Sequence, residues 1–257
     1  FPFIKLSSRI ISDYQGKLLA SGICDNTIGF YLHNIKALFR KGCREMGLEL
    51  PCPFRDISIK TEKTLKRSLD PVVIKTLSAI ELEKDSPLSL ARDIFMFSFY
   101  TRGMSFVDIA LLKKRHVFPG EICYRRHKTD QLMRVGINKE ISRILERYKN
   151  VPGEYIFPLF PAERDPYAGY RSAYHRIRYS LGKISRVIGL EFPLRLHAAR
   201  HSLATIAKVN GASVHVIGEC LGHTSEKTTR IYLKELDHSA LDAVNNQVAD
   251  FILAVDD

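Results

Sequence analysis

The sequence predicts a mainly α-helical protein with one small β-hairpin or sheet, an α+β arrangement in two domains. Apolar residues recur at helical spacing through most of the 257 residues. Residues 120–138 depart from this spacing and alternate as the two strands of a hairpin do. A segment at 51–69 carries prolines and charges without either period. We therefore expect a helical domain at 1–50, a linker at 51–69 and a larger domain at 70–257.

The first fifty residues predict two helices. Apolar residues recur at helical spacing up to Gly22, which lies just past the expected end of the first helix. The second helix is predicted to begin near Asn26 and to end near Gly47, with one apolar and one basic face. A basic face is usually only a solvated surface, but it also suits contact with a DNA backbone.

Capping signals mark where helices of the larger domain begin. Asp70 and Ser86 each place a capping side chain before a proline at the first helical position. The second signal begins a strongly apolar helix that we expect to end near Gly103. A long basic helix is predicted at about 168–188. Further helices are predicted at about 197–209, 213–220, 226–235 and 239–254.

Cations concentrate at the hairpin tip and along the long basic helix. Such charged side chains are rarely buried in a hydrophobic core, so we expect them at the surface. Lysine and arginine outnumber aspartate and glutamate by 39 to 28, a formal net charge of +11. This balance favours nucleic acid as a partner, and a merely basic surface is the alternative. From the second helix, the hairpin tip and the long helix we select as DNA contacts Lys36, Arg40, Arg125, His127, Arg171, Arg176 and Arg178.

Cysteine usage and hydropathy bear on the compartment. Five scattered cysteines predict reduced thiols in a cytoplasmic protein, not a disulfide framework. No apolar run approaches the ~18 residues that a membrane span needs, so we expect no membrane association. The chain begins at Phe1 without an initiator methionine, and we expect an N-terminal portion to precede it.

Four chemistry-bearing side chains stand at fixed steps along consecutive short helices near the C-terminus. His197 and Arg200 are one helical turn apart and so face one pocket. His223 follows in a Leu-Gly-His run, and Tyr232 lies nine residues beyond it. Phosphodiester exchange without a metal needs a nucleophile, cations for the non-bridging oxygens and an acid for the leaving oxygen. This set, with Lys128 at the hairpin tip, contains all three.

The spacing of these residues resembles that of the tyrosine recombinases, the phage integrase family. The resemblance covers about residues 70–257 as the catalytic domain, and 1–50 resembles the end of the helical core-binding domain. It implies an enzyme, a site-specific DNA recombinase that cuts and rejoins strands through a 3′-phosphotyrosine intermediate. It further implies the integration or excision of a mobile element, with no metal and no cofactor.

The resemblance also implies a role for each residue. Tyr232 would be the nucleophile, and Arg200 would make a bidentate contact to the scissile phosphate. His197 or His223 would accept the tyrosine proton or hydrogen-bond the phosphate. Lys128 would donate a proton to the departing 5′-oxygen.

One position departs from the family pattern. The family places its first catalytic arginine after a Gly-(Leu/Met) pair, and here Ser105 follows Gly103 and Met104. We expect another guanidinium to replace it. Arg102 is a candidate because we expect it one turn back on the same helix face. Arg126 is a candidate because it stands two positions before Lys128 and is expected to point the same way along its strand. We favour Arg126, and a similar Gly-Met-Ser-Phe-Val-Asp stretch in integrases of mobile elements from Bacteroidetes suggests a working enzyme.

The implied partner is double-stranded DNA at attachment sites, with exchange through a Holliday junction. The last predicted helix has an apolar stripe from Leu241 to Ile252, which either covers its own core or docks on a neighbour in a homotetramer. The implied location is the cytoplasm of a bacterium, at the nucleoid.

Three alternatives remain open at this point. A type IB topoisomerase would use the same chemistry, although the helical N-terminal domain favours recombination. A DNA-binding relative without activity is conceivable because Ser105 supplies no charge. Zinc could bind at His197 and His201 with Cys220 and His223, but a guanidinium beside such a site is unfavourable.

Overall fold

The computed structural model describes residues 3–58, 62, 68–160, 166–223 and 225–233. The chain divides into two units, Phe1–Leu65 and Lys66–Asp257. Among the described residues, helices predominate and one three-stranded antiparallel sheet lies in the second unit. The predicted fold class, mainly α with a small sheet, is confirmed.

The first unit contains the two predicted helices, α1 (Ser8–Ala20) and α2 (Asp25–Glu45). Ile11 of α1 and Leu32 of α2 are buried in their common core. Phe54, from the segment predicted to be a linker, is also buried there. Its ring packs in this core directly after Pro53, because burying apolar surface is favourable.

The second unit begins with two helices at the predicted caps, α3 (Pro71–Ala79) and α4 (Pro87–Tyr100). The Asp70 carboxylate accepts a hydrogen bond from the Val72 amide at 2.8 Å. The Ser86 hydroxyl accepts one from the amide of the third helical residue at 3.1 Å. Nearly every side of α4 is buried, so this helix forms the centre of the second core.

The sheet contains the predicted hairpin. Strands β2 (Glu121–Arg125) and β3 (Leu132–Gly136) pair antiparallel, with Cys123 opposite Arg134. A short strand, β1 (Val117–Phe118), adds to the edge of β2. The sequence did not predict β1, because two residues are too few to show alternation.

The hairpin loop is closed by hydrogen bonds between its ends. The Asp130 amide donates to the Arg126 carbonyl at 2.8 Å. Arg125 Nη1 donates to the Asp130 carbonyl at 2.8 Å and lies 3.1 Å from its carboxylate. Lys128 therefore lies in a turn at residues 127–129, at the tip as predicted.

Four of the six helices that remain in the described residues pack against α4. A short helix, α5 (Phe106–Ala110), was not predicted, since five residues are too few for a periodic pattern. The predicted helix at 239–254 lies outside the described residues. None of the helices within the described ranges is long and apolar enough to cross a membrane. The helices are α5 (Phe106–Ala110), α6 (Lys139–Arg147), α7 (Pro166–Val187), α8 (Leu196–Val209), α9 (Val214–Leu221) and α10 (Glu226–Leu233).

Candidate active site

Arg200 lies in the first half of α8 with a buried side chain, 7% exposed. Its Nη1 donates to the carbonyl of Gly103 at 3.0 Å, and its Nη2 donates to the carbonyl of Leu221. The guanidinium therefore joins the corner after α4 to the C-terminal end of α9. Both carbonyl partners are neutral, so neither cancels the positive charge.

The close approach of Arg200 explains the glycine at position 103. Gly103 has a φ of 71°, in the left-handed region that side chains disfavour. A Cβ at this position would lie 2.7 Å from Cγ and 2.9 Å from Cβ of Arg200. A glycine is thus required both by the turn and by the packing of the arginine.

A second guanidinium reaches the same end of α9 from the hairpin. Arg126 is half-buried, and its Nη1 donates to the carbonyl of Gly222, the residue after Leu221. The final carbonyls of a helix carry partial negative charge and attract cations. Arg126 and Arg200 therefore converge on two consecutive peptide groups, immediately before His223.

The positive charges of Arg126 and Arg200 act on the imidazole of His223. Burial, followed by the charges of Arg200, Arg126 and Lys128, lowers the pKa of its imidazole to about 4. The ring is therefore neutral at pH 7. Its Nδ1 lies 2.9 Å from the hydroxyl of Thr229, a buried residue of α10.

His197 lies at the start of α8, one turn before Arg200. Its side chain keeps access to solvent, and its ring makes a T-shaped contact with that of His201, with centroids 4.8 Å apart. Partial removal of water by surrounding protein lowers the pKa of His197, and the charges of Arg200 and Lys128 lower it further. Lys128 thus lies close enough to influence both histidines of the site.

Ser105 is engaged by its own helix. Its hydroxyl caps α5 and donates to Oδ2 of Asp108 at 2.6 Å. The expectation that Arg102 lies one turn back on the same helix face is wrong. The backbone turns between them, with Arg102 at a φ of 59° and Gly103 at 71°, and the Arg102 side chain is exposed.

The reason given for Arg126 also needs correction. Arg126 and Lys128 were expected to point the same way along one strand, but β2 ends at Arg125. Arg126 instead reaches the site because its backbone pairs across the hairpin, with its amide donating to Gln131 at 2.9 Å. The expectation that Arg126 replaces the missing arginine stays a prediction.

The predicted nucleophile lies on a helix that packs beside His223. Tyr232 is in the last turn of α10, and its side chain is outside the described part of the structure. Thr229, three residues earlier, contacts His223. Its hydroxyl also packs against Gly218 of α9, where an added Cβ would be only 2.8 Å from the hydroxyl oxygen. This close packing holds the backbone that carries Tyr232 against α9.

The predicted DNA contacts of α7 occupy two sides of the helix. Arg171 and Arg178 are exposed and seven residues apart, so they share one side. Arg176 lies on another side, where its Nη2 donates to the Leu159 carbonyl at 2.8 Å. The other predicted contacts are exposed except Lys36, which is half-buried. All of these DNA contacts stay predictions.

Sequence reasoning missed the residues that support the site, namely Asp108, Gly222 and Thr229. Asp108 stands three residues after Ser105, at the end of the Gly-Met-Ser-Phe-Val-Asp stretch, and this position was its only signal. Within the described ranges, no group of three or more His, Cys, Asp or Glu side chains is placed to hold a metal ion. That finding includes the candidate zinc ligands His197, His201, Cys220 and His223, which are all described.

Comparison with known proteins identifies relatives of most of the chain. The model of the phage integrase family matches residues 68–238. Tyrosine recombinase XerC of Shewanella oneidensis is 26% identical over 226 residues, covering 84% of this chain and 70% of that protein. Tyrosine recombinase XerD of Pseudomonas putida is 36% identical over 94 residues, covering 34% of this chain and 30% of that protein.

Solved structures share the fold. The Tn1549 transposon integrase in complex with circular intermediate DNA matches with a TM-score of 0.67 and 16% identity, covering 95% of this chain and 86% of that chain. A lambda integrase dimer bound to a COC′ core site matches with a TM-score of 0.66 and 17% identity, covering 90% and 81%. At these identities the likeness is one of fold.

Gly103→Ala should destabilise the second unit and displace Arg200. We expect a loss of about 2 kcal/mol or more in the free energy of unfolding, because the left-handed backbone and the approach of Arg200 both disfavour a Cβ. Urea denaturation measures it. Gly182→Ala is the matched control in α7, where a Cβ would meet no atom within 4 Å, and it should be neutral or stabilising. Equal stability of the two variants would contradict the packing argument.

His223 should remain neutral well below neutral pH in the DNA-free protein. Nitrogen-detected NMR of labelled histidine, assigned with a His223→Gln variant, should give a titration midpoint of about 4. The cause is burial together with three nearby cations, so the same residue should titrate near ~6.5 in urea-unfolded protein. A midpoint near ~6.5 in the folded protein would contradict both the burial of this ring and the action of the three cations on it.

Proposed function

The chain belongs to the phage integrase family, and we propose that it is a site-specific DNA recombinase acting through a 3′-phosphotyrosine. The observation that carries this proposal is the convergence of Arg200, Arg126 and Lys128 on His223. Three cations around a neutral imidazole make a site that favours an anion. The scissile phosphodiester of DNA is such an anion.

The two guanidiniums suit the transition state better than the ground state. As Tyr232 attacks phosphorus, the two non-bridging oxygens gain negative charge. Arg200 and Arg126 can each donate to these oxygens while still contacting the carbonyls at the end of α9. Fixed donors aimed at developing charge lower the barrier without reorganising during the reaction.

The neutral histidines have distinct tasks in this proposal. If the Thr229 hydroxyl donates to Nδ1 of His223, the proton of that imidazole lies on Nε2, from which it can be donated to a phosphate oxygen. His197, one turn before Arg200, then takes the proton of Tyr232. Both assignments need uncharged rings in the free protein, which agrees with the lowered pKa values of His197 and His223.

Lys128 is the proposed general acid. The bond from phosphorus to the 5′-oxygen breaks as the Tyr232 oxygen bonds to phosphorus, and the lysine proton passes to the departing 5′-oxygen. In the second step a 5′-hydroxyl returns a proton to Lys128 and attacks the phosphotyrosine, and Tyr232 leaves with the proton held by His197. The bond energy is conserved in the covalent intermediate, so religation needs no cofactor.

Arg126 is the better replacement for the family arginine than Arg102. It is half-buried, it bonds to the residue before His223, and its charge contributes to the lowered pKa of that histidine. Arg102 is exposed in the turn that follows α4. A guanidinium that is held in place and partly shielded from water stabilises charge more than a solvated one.

The partner is DNA, as the family and the net charge of +11 indicate. The neighbouring Tn1549 integrase, a transposon protein, supports a role in moving a mobile element. We propose double-stranded attachment sites, a Holliday junction and a homotetramer assembled through the predicted helix at 239–254. A domain at 1–50 and a domain at 70–257 would both contact the DNA, at the nucleoid in the bacterial cytoplasm.

Covalent trapping in EDTA tests the proposed reaction. A binding site is first selected from random duplexes and then placed in a nicked duplex, from which the cleaved fragment diffuses away. After an SDS quench, the wild-type chain should carry covalently bound DNA, and Tyr232→Phe should carry none because the phenol is the nucleophile. Wild-type binding without any adduct would contradict the proposed enzyme and favour a DNA-binding relative.

The same assay, with rates measured, separates the two arginine candidates. We expect Arg126→Ala to slow cleavage by about 10²–10³-fold, as loss of a transition-state donor does. Arg102→Ala is the matched control and should slow it by less than about 3-fold, as for an exposed charge. The reverse order of effects would assign the role to Arg102. Thermal unfolding of both variants checks that neither loss reflects the fold.

A further inference from the structure

Ser105 occupies the position of a family arginine, yet its hydroxyl is directed to a carboxylate. The Ser105 Oγ donates to Oδ2 of Asp108 at 2.6 Å. The same oxygen lies 3.4 Å from the Asp108 amide, which it caps. A hydroxyl with these two local partners is positioned by the protein, and it is not placed there as a weak substitute for a cation.

The other oxygen of Asp108 holds the hairpin tip. Its Oδ1 accepts a hydrogen bond at 2.7 Å from the backbone amide of His127. That amide lies between Arg126 and Lys128, the two proposed catalytic residues of the hairpin. Asp108 is only 5% exposed, so its carboxylate forms a buried bridge from α5 to the turn.

We propose that Ser105 is a positioning residue that acts through Asp108 to hold the turn carrying Lys128. This serine–aspartate clasp consists of Ser105 Oγ, the Asp108 carboxylate and the His127 amide. Its role in the reaction rests on the proposed recombinase function. The serine then has a function of its own at this position, beyond filling the place of the family arginine.

The physical reason is the cost of an unsatisfied buried charge. A carboxylate removed from water requires hydrogen bonds at both oxygens. Without the Ser105 hydroxyl, Oδ2 of Asp108 loses a short charge-assisted bond, and the carboxylate turns toward water to regain one. That rotation withdraws Oδ1 from the His127 amide and releases the turn.

Lys128 should depend on the clasp more than Arg126 does. Arg126 has further anchors, because its guanidinium bonds to Gly222 and its amide bonds across the hairpin to Gln131. Lys128 is exposed within the turn, so its position follows the turn. Loss of the clasp should therefore resemble a partial loss of the general acid.

Hydrogen exchange at the His127 amide tests the clasp without any DNA. Ser105→Ala should speed exchange of this amide by about 10-fold or more, as expected for loss of a charge-assisted bond. Ser105→Thr keeps the hydroxyl and should stay within about 3-fold of the wild type, by the same argument. Ser86→Ala is the matched control, because it removes an equivalent cap from α4. It should leave the exchange unchanged.

Cleavage rates on two nicked duplexes then test the role in the reaction. One duplex carries the ordinary 5′-oxygen, and the other carries a bridging 5′-sulfur, which leaves as a thiolate without a proton because thiols have a pKa near ~8.5. Ser105→Ala should cost about 10-fold on oxygen and less than about 3-fold on sulfur. Lys128→Ala should show the same pattern, and Arg126→Ala should be slow on both.

The outcomes distinguish the clasp from the recombinase itself. Unchanged exchange in Ser105→Ala, or equal losses on the oxygen and sulfur duplexes, would overturn the clasp. Exchange that depends on Ser105, together with a wild type that forms no adduct on either duplex, would confirm the clasp as a structural link and overturn the recombinase. Ser105→Thr behaving as Ser105→Ala would also overturn the clasp, because the threonine hydroxyl can make the same bond.

Discussion

The buried guanidinium of Arg200 is the interaction on which the rest of the site depends. A buried charge is tolerated only when its N–H groups find acceptors, and here the backbone carbonyls of Gly103 and Leu221 provide them. The contact with Gly103 requires a left-handed glycine after α4, and the contact with Leu221 requires that α9 ends beside α8. The arginine therefore fixes where three separate segments meet.

The second consequence is electrostatic. The carbonyls of Leu221 and Gly222 accept hydrogen bonds from Arg200 and Arg126, and the charges of both guanidiniums act on the imidazole of His223. Burial, and after it the charges of nearby cations, lowers the pKa values of His197 and His223. We propose that this site, with cations in place and imidazoles uncharged, is organised for a phosphate before DNA arrives, so that little reorganisation is needed on binding.

Local signals in the sequence predicted most of the fold, and long-range contacts account for what it could not predict. Each of these signals involves residues that are close together in the sequence. They are the caps at Asp70 and Ser86 and the alternation of the hairpin, and the structure confirms them. The contacts of Arg200 with Gly103 and of Arg126 with Gly222 join residues 97 and 96 positions apart. No periodicity encodes such contacts, which is why the choice of Arg126 rested on a strand alternation that the turn does not continue.

We propose that this site has lost one charged residue of the family pattern at Ser105 without losing its charge. Ser105 contributes a cap and a bond to Asp108, while a guanidinium from the hairpin reaches the end of α9. The most direct test is a structure of the protein on its DNA site with vanadate in place of the scissile phosphate. We predict donors of Arg200 and Arg126 within about 3.2 Å of the equatorial oxygens, with Ser105 still bonded to Asp108. Vanadate contacted by Arg102 or Ser105, with Arg126 turned away, would contradict this arrangement.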